Sequence, residues 1–380
     1  MVNVGSSVLG DYNPIFYANE ALQHLEKALG MAARVHRGYD AERRSFGKGD
    51  TINIRTPQTF TVQNAPGTKE GLETETTSLV LNQWKTVKFG LRDDELAFTG
   101  ERLINDHIRP AAYALADNID LALVGLWKDV AYQSAWAGSD VVADITNARK
   151  AMFDNAVPLD AGLMHMMLDS TGEQQALSSS AFTQQQGAGD LGISSQVRGS
   201  LGQKFGFELF ANQNVASSTA GGADVAGALT ADVAVGATTI AVDGFGTIET
   251  QYAGTIVTIA DEAYTLAADI TFVAGAGTMT LSSKIRVAAL ENVAVALTAI
   301  DAKSEQLAFH RNAFALAMAP LPENGNQLGA NVATVSDPIT GLSLRSRMYY
   351  DGDASETIVA LDILYGFKTL NPKLAMRMRR

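Results

Sequence analysis

The chain has 380 residues, 46% apolar and 18% charged, with 29 basic against 41 acidic side chains and a formal net charge of −12. That length and composition fit two or three domains with sizeable cores and exclude a disordered chain. There are no cysteines, which excludes disulfides, cysteine nucleophiles and thiolate metal sites and suits folding in a reducing cytoplasm. The negative balance argues against strong binding to duplex DNA over a broad face, because phosphate contacts need clustered Lys and Arg. The opening MVNVGSSVLGDYNP has no basic-then-apolar leader, and no uncharged apolar run reaches the ~18 residues needed to cross a membrane.

In chain order, the first predicted element covers residues 14–37, where Asn13-Pro14 supplies a cap and first position and ANEALQHLEKALGMAARVH continues with helical spacing. A charged break, RGYDAERRSFGKGD, leads to two strand-like segments, DTINIRTPQTFTVQ and SLVLNQWKTVKFGL, flanking the polar tip NAPGTKEGLETETT. This reads as a long two-stranded arm with almost no core of its own, and such an arm needs another surface to lie on. Residues 101–134 carry a continuous apolar stripe through Ile104, Ile108, Ala111, Leu115, Ile119, Ala122, Leu126 and Val130. From Pro110 onward that helix would run about 36 Å.

From residue 146 the pattern alternates between helix and strand, passing through LMHMMLD, a Gly/Ser/Gln-rich loop at 183–204 and the strand FGFELFANQNV. Residues 221–297 are different: Ala, Thr, Val and Gly in short alternating runs such as TTIAVDGF and GTIVTIAD, with eight acids against two bases, a net of −6. Small turn-punctuated strands of this kind predict a compact β-domain inserted into the surrounding fold. The stretch LAFHRNAFALAMAPLP (307–322) reads as one buried strand. On it His310 shares a face with Asn312, Phe314, Leu316 and Met318, and Arg311 faces the other way with Phe309 and Ala313. A final hairpin, LSLRSRMYY then ETIVALDILYG, turns at Asp351-Gly352. Lys373, Arg377, Arg379 and Arg380 crowd the last eight residues, and a short basic tail of this kind is expected to be solvated.

No motif brings chemistry with it. GAGDLG (187–192) has dinucleotide-loop spacing but polar loop on both sides, without the strand before and helix after that the motif needs. Asp93, Asp94 and Glu95, with Glu101 nearby, are consecutive carboxylates that do not converge on a metal, and DGDAS (351–355) is a turn before it is a calcium loop. His24, His36, His107, His165 and His310 are scattered without ligand spacing, and Trp84, Trp127 and Trp136 lack the basic interleaving of a nucleic-acid platform. The expected catalytic, cofactor and metal sites are therefore none.

An acidic, cysteine-free chain with an exposed arm, a long helix and no active site describes a protein that completes its core against copies of itself. In this order of parts, and in ERLINDHIRPAAYALADNID, LAFHRNAFALAMAPLP and RSRMYYDGDASETIVALDILYGFKTLNPKLAMRMRR, the sequence resembles the major capsid proteins of tailed bacteriophages. The matching fold is the Hong Kong 97 type, and the likeness is greatest to the podovirus coat-protein group with an inserted β-domain. The resemblance implies an α+β fold: an N-terminal arm (1–50), an extended loop (51–90) and a peripheral domain with a spine helix (91–145, completed by 335–380). An axial domain (146–220, completed by 298–334) and the inserted β-domain (221–297) complete it.

As function, the resemblance implies a non-enzymatic virion protein, assembled in the host bacterial cytoplasm, that builds an icosahedral procapsid from hexamers and pentamers and encloses double-stranded DNA. Its implied partners are a scaffolding protein, a portal and, weakly and non-specifically, the packaged DNA, with no membrane. An acidic wall suits the last of these, since like charge lets DNA slide. Along the extended loop the implied intersubunit contacts are Phe60, Lys69, Glu70, Glu73, Glu75 and Trp84. Some members of the fold join a loop lysine to a neighbour's asparagine; Lys69 sits at the loop tip, but a lone lysine is a weak signal for that bond. The competing reading is an accessory virion or surface-layer β-protein with an adhesin-like domain, for which the 101–134 helix has no use.

Overall fold

A computed structural model describes residues 14–38, 51–56, 62, 64–65, 75–92, 107–160, 162–184, 195–221, 224–246, 250–323, 330–336 and 342–380. The chain forms two compact units, one from Met1–Ile119 and Ala315–Lys368, the other from Asp120–Phe314 and Thr369–Arg380.

In the first unit α1 (Pro14–Ala28) ends where Leu29-Gly30 interrupts it, and a short 3-10 turn, Met31–Ala33, follows. β1 (Thr51–Thr56) pairs antiparallel with β2 (Glu75–Val80), Thr51 opposite Val80 and Thr56 opposite Glu75. Ile52, Ile54 and Leu79 point inward from this ribbon, alternating with exposed neighbours as a half-buried strand pair requires. The expected arm changes here. SLVLNQWKTVKFGL is two strands, and β3 (Gln83–Arg92) pairs with a later strand instead of with β1. The break falls at Leu81-Asn82, where Gly366 lets the backbone pass, because a Cβ there would run into the Val80 carbonyl and the Leu81 Cα.

The helix within 101–134 is also shorter than its stripe suggests. α2 (Arg109–Val124) has 16 residues, about 24 Å long, and passes into a 3-10 turn at Gly125–Asp129. After it, β4 (Gln133–Ala135) joins a sheet. The apolar positions 126 and 130 therefore pack from a turn and a strand lead-in, with Leu126, Trp127 and Val130 all buried.

The second unit contains two sheets. In the first, β4 is followed by α3 (Val141–Asp154), β5 (Met164–Leu168), α4 (Ser170–Ser178), α5 (Ser180–Thr183), β6 (Gln203–Lys204), β7 (Phe207–Ala211), β14 (Glu305–His310) and β19 (Ala375–Arg379). The strand order is β4-β19-β14-β5-β7-β6. Side-chain caps start the helices: Asp140 accepts from the Ala143 amide at 3.1 Å and Asp169 from the Gly172 amide at 2.7 Å. Ile145, Ala148 and Met152 of α3 pack with Met164, Met166 and Leu168 of β5, Phe207 and Leu209 of β7, and Met376 and Met378 of β19. Each large apolar side chain buried there is worth about 1.5–3 kcal/mol. β5 is buried at all five positions, as a strand covered on both faces must be.

The second sheet uses β8 (Val225–Leu229), β9 (Thr239–Asp243), β10 (Ile256–Ile259), β11 (Glu262–Thr265), β12 (Gly277–Thr280) and β13 (Ala294–Thr298), in the order β11-β10-β13-β8-β9-β12. Its two outer strands meet. Leu266 bridges Leu281, the Ala267 amide donates to the Thr280 carbonyl at 2.8 Å, and the Ser282 amide donates to the Thr265 carbonyl at 2.9 Å. The sheet is thus a small closed barrel, which removes the edge strands an open sheet would expose. Ile240, Val242, Val257, Ile259, Met279, Val295 and Leu297 fill its interior, alternating in β9 and β13 with exposed residues. Gly227 is required on β8, since a Cβ would run into the Asp243 carbonyl and the Phe245 ring.

β15 (Phe314–Met318), β16 (Asn331–Ser336), β17 (Ser343–Asp351) and β18 (Glu356–Thr369) form the main sheet of the first unit, ordered β15-β18-β17-β16, with β3 also on β18. The final hairpin is present in register, Asp351 opposite Glu356, and closes through residues 352–355, not through a two-residue Asp-Gly turn. LAFHRNAFALAMAPLP is not one strand. β14 stops at His310, whose Nδ1 accepts from the Asn312 amide at 3.2 Å and opens a 3-10 turn, Arg311–Ala313, before β15 begins in a different sheet. Face sharing between His310 and Phe314, Leu316 and Met318 is lost at that turn.

Ala319 donates to the Leu364 carbonyl and Leu316 to the His36 carbonyl, contacts within the first unit, which takes in residues 315–368; its other border falls inside α2 at Ile119/Asp120.

Candidate assembly interface

Of the six loop residues expected at subunit contacts, Trp84 is the one whose side chain is described. Phe60, Lys69, Glu70 and Glu73 lie outside the described residues, and Glu75 is placed only as the backbone partner of Thr56. Trp84 is 59% exposed on β3, opposite Leu364. The Arg345 guanidinium carbon lies 5.8 Å from the centre of its ring, a cation–π arrangement that fixes one face of the indole and leaves the rest open.

That arginine belongs to a buried cluster. Arg345, Asp362 and Thr86 stand in line across β17, β18 and β3. Arg345 Nε and Nη2 donate to Asp362 Oδ2 at 3.0 and 2.8 Å, Arg347 Nη2 donates to Oδ1 at 2.9 Å, and Arg345 Nη1 donates to the Pro322 carbonyl at 2.9 Å. Burial alone would raise the Asp362 pKa, but hydrogen bonds from Arg347, Thr86 and Arg345 outweigh it and hold the carboxyl below its ordinary range. A carboxylate locked by two guanidinium groups positions Trp84; it has no free proton to trade.

The basic C-terminal stretch is not solvated. Arg377 is fully buried on β19, its Nη1 donating to the Gly254 carbonyl at 3.1 Å and its guanidinium carbon 5.5 Å from the Trp127 ring centre. Burial lowers its pKa to about 10, so it stays charged at neutral pH. Arg379 Nε donates to the buried Glu305, and Arg380 Nη2 donates to Asp169 at 2.6 Å. Burial works against ionised Asp169, yet bonds from the Gly172 amide, Arg380 and Ser304 bring its pKa below the usual value. On the barrel, Arg286 pairs with Glu262, which also lies 3.8 Å from Lys373. Glu262 is likewise held low, the arginine bond outweighing desolvation. Arg286 sits 4.8 Å from the Tyr264 ring centre.

Three histidines sit in packing or hydrogen-bonding contacts. His165 pairs with Glu208 at 3.0 Å and lies 5.6 Å from Phe309, ring centre to ring centre. His24 accepts from Arg109 Nε at 2.8 Å and lies 3.0 Å from Glu20. Burial pushes the His310 pKa below its ordinary value, so the imidazole is neutral in its capping role. Among the described residues no three His, Asp or Glu side chains are grouped to hold a metal, and no described helix is long and apolar enough to cross a membrane. A cleft of about 570 Å³ beside Trp127, Lys128, Tyr252 and Asp269 contains no histidine, and Asp269 Oδ1 is taken by the Ala253 amide. GAGDLG, and the acids at 93–95 and 101, lie outside the described residues. DGDAS is a turn closed by the Asp353 amide on Asp351 Oδ1 at 3.0 Å.

The C-terminal strand was hidden from sequence reading because its cations look solvated until Glu305 and Asp169 are brought beside them. Position 305 is separated from 379 by more than seventy residues, so no local spacing signals the pair.

No family model matches the chain, and no curated protein matches it. Among solved structures, one from Mycobacterium phage Che8 is 15% identical with a TM-score of 0.53, over 92% of this chain and 90% of that one. The capsid of Ralstonia phage GP4 gives 12% identity and a TM-score of 0.47 over 92% and 88%. A capsid structure of the cyanophage P-SCSP1u gives 10% and 0.44 over 88% and 85%. The chain has a mixed α+β fold, shared with the phage Che8 structure over 92% of its length.

Proposed function

We propose that this chain is a tailed-phage major capsid protein that assembles into an icosahedral shell around double-stranded DNA. The observation that carries the reading is a phage protein fold shared over 92% of the chain, in agreement with the resemblance read from the sequence. The role in this reading is structural and not enzymatic. The shell is built from hexamers and pentamers of this chain, assembled in the host cytoplasm with a scaffolding protein and a portal, and its contact with DNA is weak and non-specific. The barrel of residues 225–298 is the inserted domain, and the remainder of the second unit is the axial domain. Residues 51–90 supply the extended loop, with Phe60, Lys69, Glu70, Glu73, Glu75 and Trp84 meeting a neighbouring subunit.

Electron microscopy and sedimentation of the purified chain, alone and with its scaffold, test the reading. Closed shells of uniform size are the expected result. Flat lattices, fibres or a chain that stays monomeric under both conditions would favour the surface-layer or accessory role instead.

A further inference from the structure

Two exposed apolar patches on the second unit differ in charge. The first surrounds the tight turn between β6 and β7, where Phe205 and Gly206 both have positive φ, 50° and 85°. Two left-handed residues in succession make the turn type that favours Asn-Gly, and a bulky aromatic at the first position is unfavourable there. Inside the chain Phe205 gains an edge contact with Phe182, ring centres 6.3 Å apart, and remains 39% exposed. Arg149 Nη1 donates to the Phe205 carbonyl at 2.9 Å, and one helical turn further along α3 Phe153 is 68% exposed. The cations around the turn are Arg149 and Lys204, the latter over the Phe182 ring. In a chain of net charge −12, this is a basic aromatic surface.

The second patch lies on the acidic barrel. The Val233–Ala289 bridge and the hydrogen bond from the Ile285 amide to the Ala237 carbonyl set residues 234–236 beside 286–288. Val235, Val287 and Leu290 are exposed there, Leu290 by 70%. Asp232 and Glu291 sit at the rim, joined by the Glu291 amide on Asp232 Oδ1 at 2.7 Å, and the cation of the same stretch, Arg286, is paired with Glu262. Closure of the barrel denies a partner any strand edge, so association must go through side chains such as these. Both patches are exposed on the same chain, so neither covers the other within it.

We propose that the Phe205 turn of one copy, with Phe153, Arg149 and Lys204, receives the Val235–Val287–Leu290 end of the barrel of a second copy. Apolar centres of similar kind and rims of opposite charge are what a specific contact needs, and two different patches on one chain make a head-to-tail contact, the kind that builds a ring when its rotation closes. The contact rests on the proposed shell function and names a pair of surfaces within it.

The absence of cysteine gives a clean test. Phe205→Cys and Leu290→Cys are introduced singly and together, particles are assembled, and disulfides are formed with a mild oxidant. Bridging needs Cα atoms within about 7 Å, so Phe153→Cys with Val287→Cys serves as a second register. The expected result is an intermolecular ladder at about tenfold the yield of either single variant, as a central contact should give. Phe205→Asn, which suits the turn better, should keep the fold by circular dichroism and lower the assembled fraction. No ladder from either pair, together with normal assembly of Phe205→Asn, overturns the proposal. Normal assembly of Phe205→Asn with a loss of bound DNA overturns it in favour of a nucleic-acid contact. If the unaltered chain forms no particles, the shell reading fails separately. The same cysteine pairs are then oxidised at high protein concentration, where a yield no greater than that of the single variants overturns the contact as well.

Discussion

Arg379 and Glu305 stand directly opposite each other on β19 and β14, and the arginine Nε donates to Glu305 Oε1 at 3.0 Å. Glu305 is fully buried, and two strand positions away Arg377 is buried as well. The sheet of the second unit therefore has its charges inside, on adjacent strands. A buried charge is tolerable only beside its counterpart, so removing one partner costs far more than the pair contributes. Glu305→Gln should lower unfolding stability by about 3–5 kcal/mol in urea titrations, whereas Glu305→Leu combined with Arg379→Met should recover most of that loss. A loss below about 1 kcal/mol for Glu305→Gln would mean the site is wet and the pair behaves as a surface one.

Acid should act on the other locked carboxylate. The folded-state pKa of Asp362 lies below its ordinary value of 3.8. A depressed carboxyl contributes stability that is fully present above the unfolded value and is lost as pH falls through the folded one. Stability should accordingly be flat in this respect above about pH 5 and decline below pH 4, with Asp169, also depressed, adding to the slope. Asp362→Asn should be less stable at pH 7 and show a shallower decline in acid. An unchanged slope in thermal melts from pH 6 to pH 3 would assign the acid sensitivity to other groups.

What the sequence made legible and what it hid follow from burial. Barrel strands with one wet face could be read, as in β9, where Ile240 and Val242 alternate with exposed Thr239, Ala241 and Asp243. LAFHRNAFALAMAPLP could not, because β14 and β15 are buried at every position, so neither has an alternation against which a break at the exposed Arg311 and Asn312 would register. Only the capping geometry of His310 divides it. The arm failed in a related way. Alternation continues on both sides of Leu81-Asn82, and the change of partner from β1 to β18 depends on Gly366, far away in sequence. Of the contact residues named on the loop, Trp84 has a described side chain, and its neighbour Arg345 could not be read from the sequence, because the register of β17 and β18 brings it there.

The barrel should fold without the rest of the chain. Its strands and interior come from residues 225–298, and the Gly221 amide donates to the Ile300 carbonyl at 2.7 Å, bringing the two ends of the segment together. A fragment of residues 220–301 should give dispersed amide resonances and one cooperative thermal transition. Gly227→Val, which sets a branched side chain against the Asp243 carbonyl and the Phe245 ring, should abolish that transition. A disordered spectrum from the unaltered fragment would show that the barrel depends on contacts such as Arg377 to the Gly254 carbonyl.

The last prediction concerns Trp84. Its indole is 59% exposed and has Arg345 on one side, and an exposed cation–π contact contributes about 0.5–1 kcal/mol. Little of the monomer's stability depends on it. Arg345 remains tied to Asp362 and to the Pro322 carbonyl whether or not the indole is present. A tryptophan side chain offers roughly 150–250 Å², and covering the open part at about 25 cal/mol per Å² would contribute a few kcal/mol to each contact. Repeated at every subunit of a closed particle, that quantity decides between shell and free subunit. Trp84→Ser should therefore leave the denaturation midpoint and circular dichroism close to those of the unaltered chain while sedimentation shifts from shells toward free subunits or capsomers. Phe89→Ser on the same strand, where the side chain is half-buried and stacks 5.6 Å from His107, should instead lower the midpoint. If Trp84→Ser assembles as well as the unaltered chain, Trp84 is not an intersubunit contact, and the extended loop must meet its neighbour through other residues.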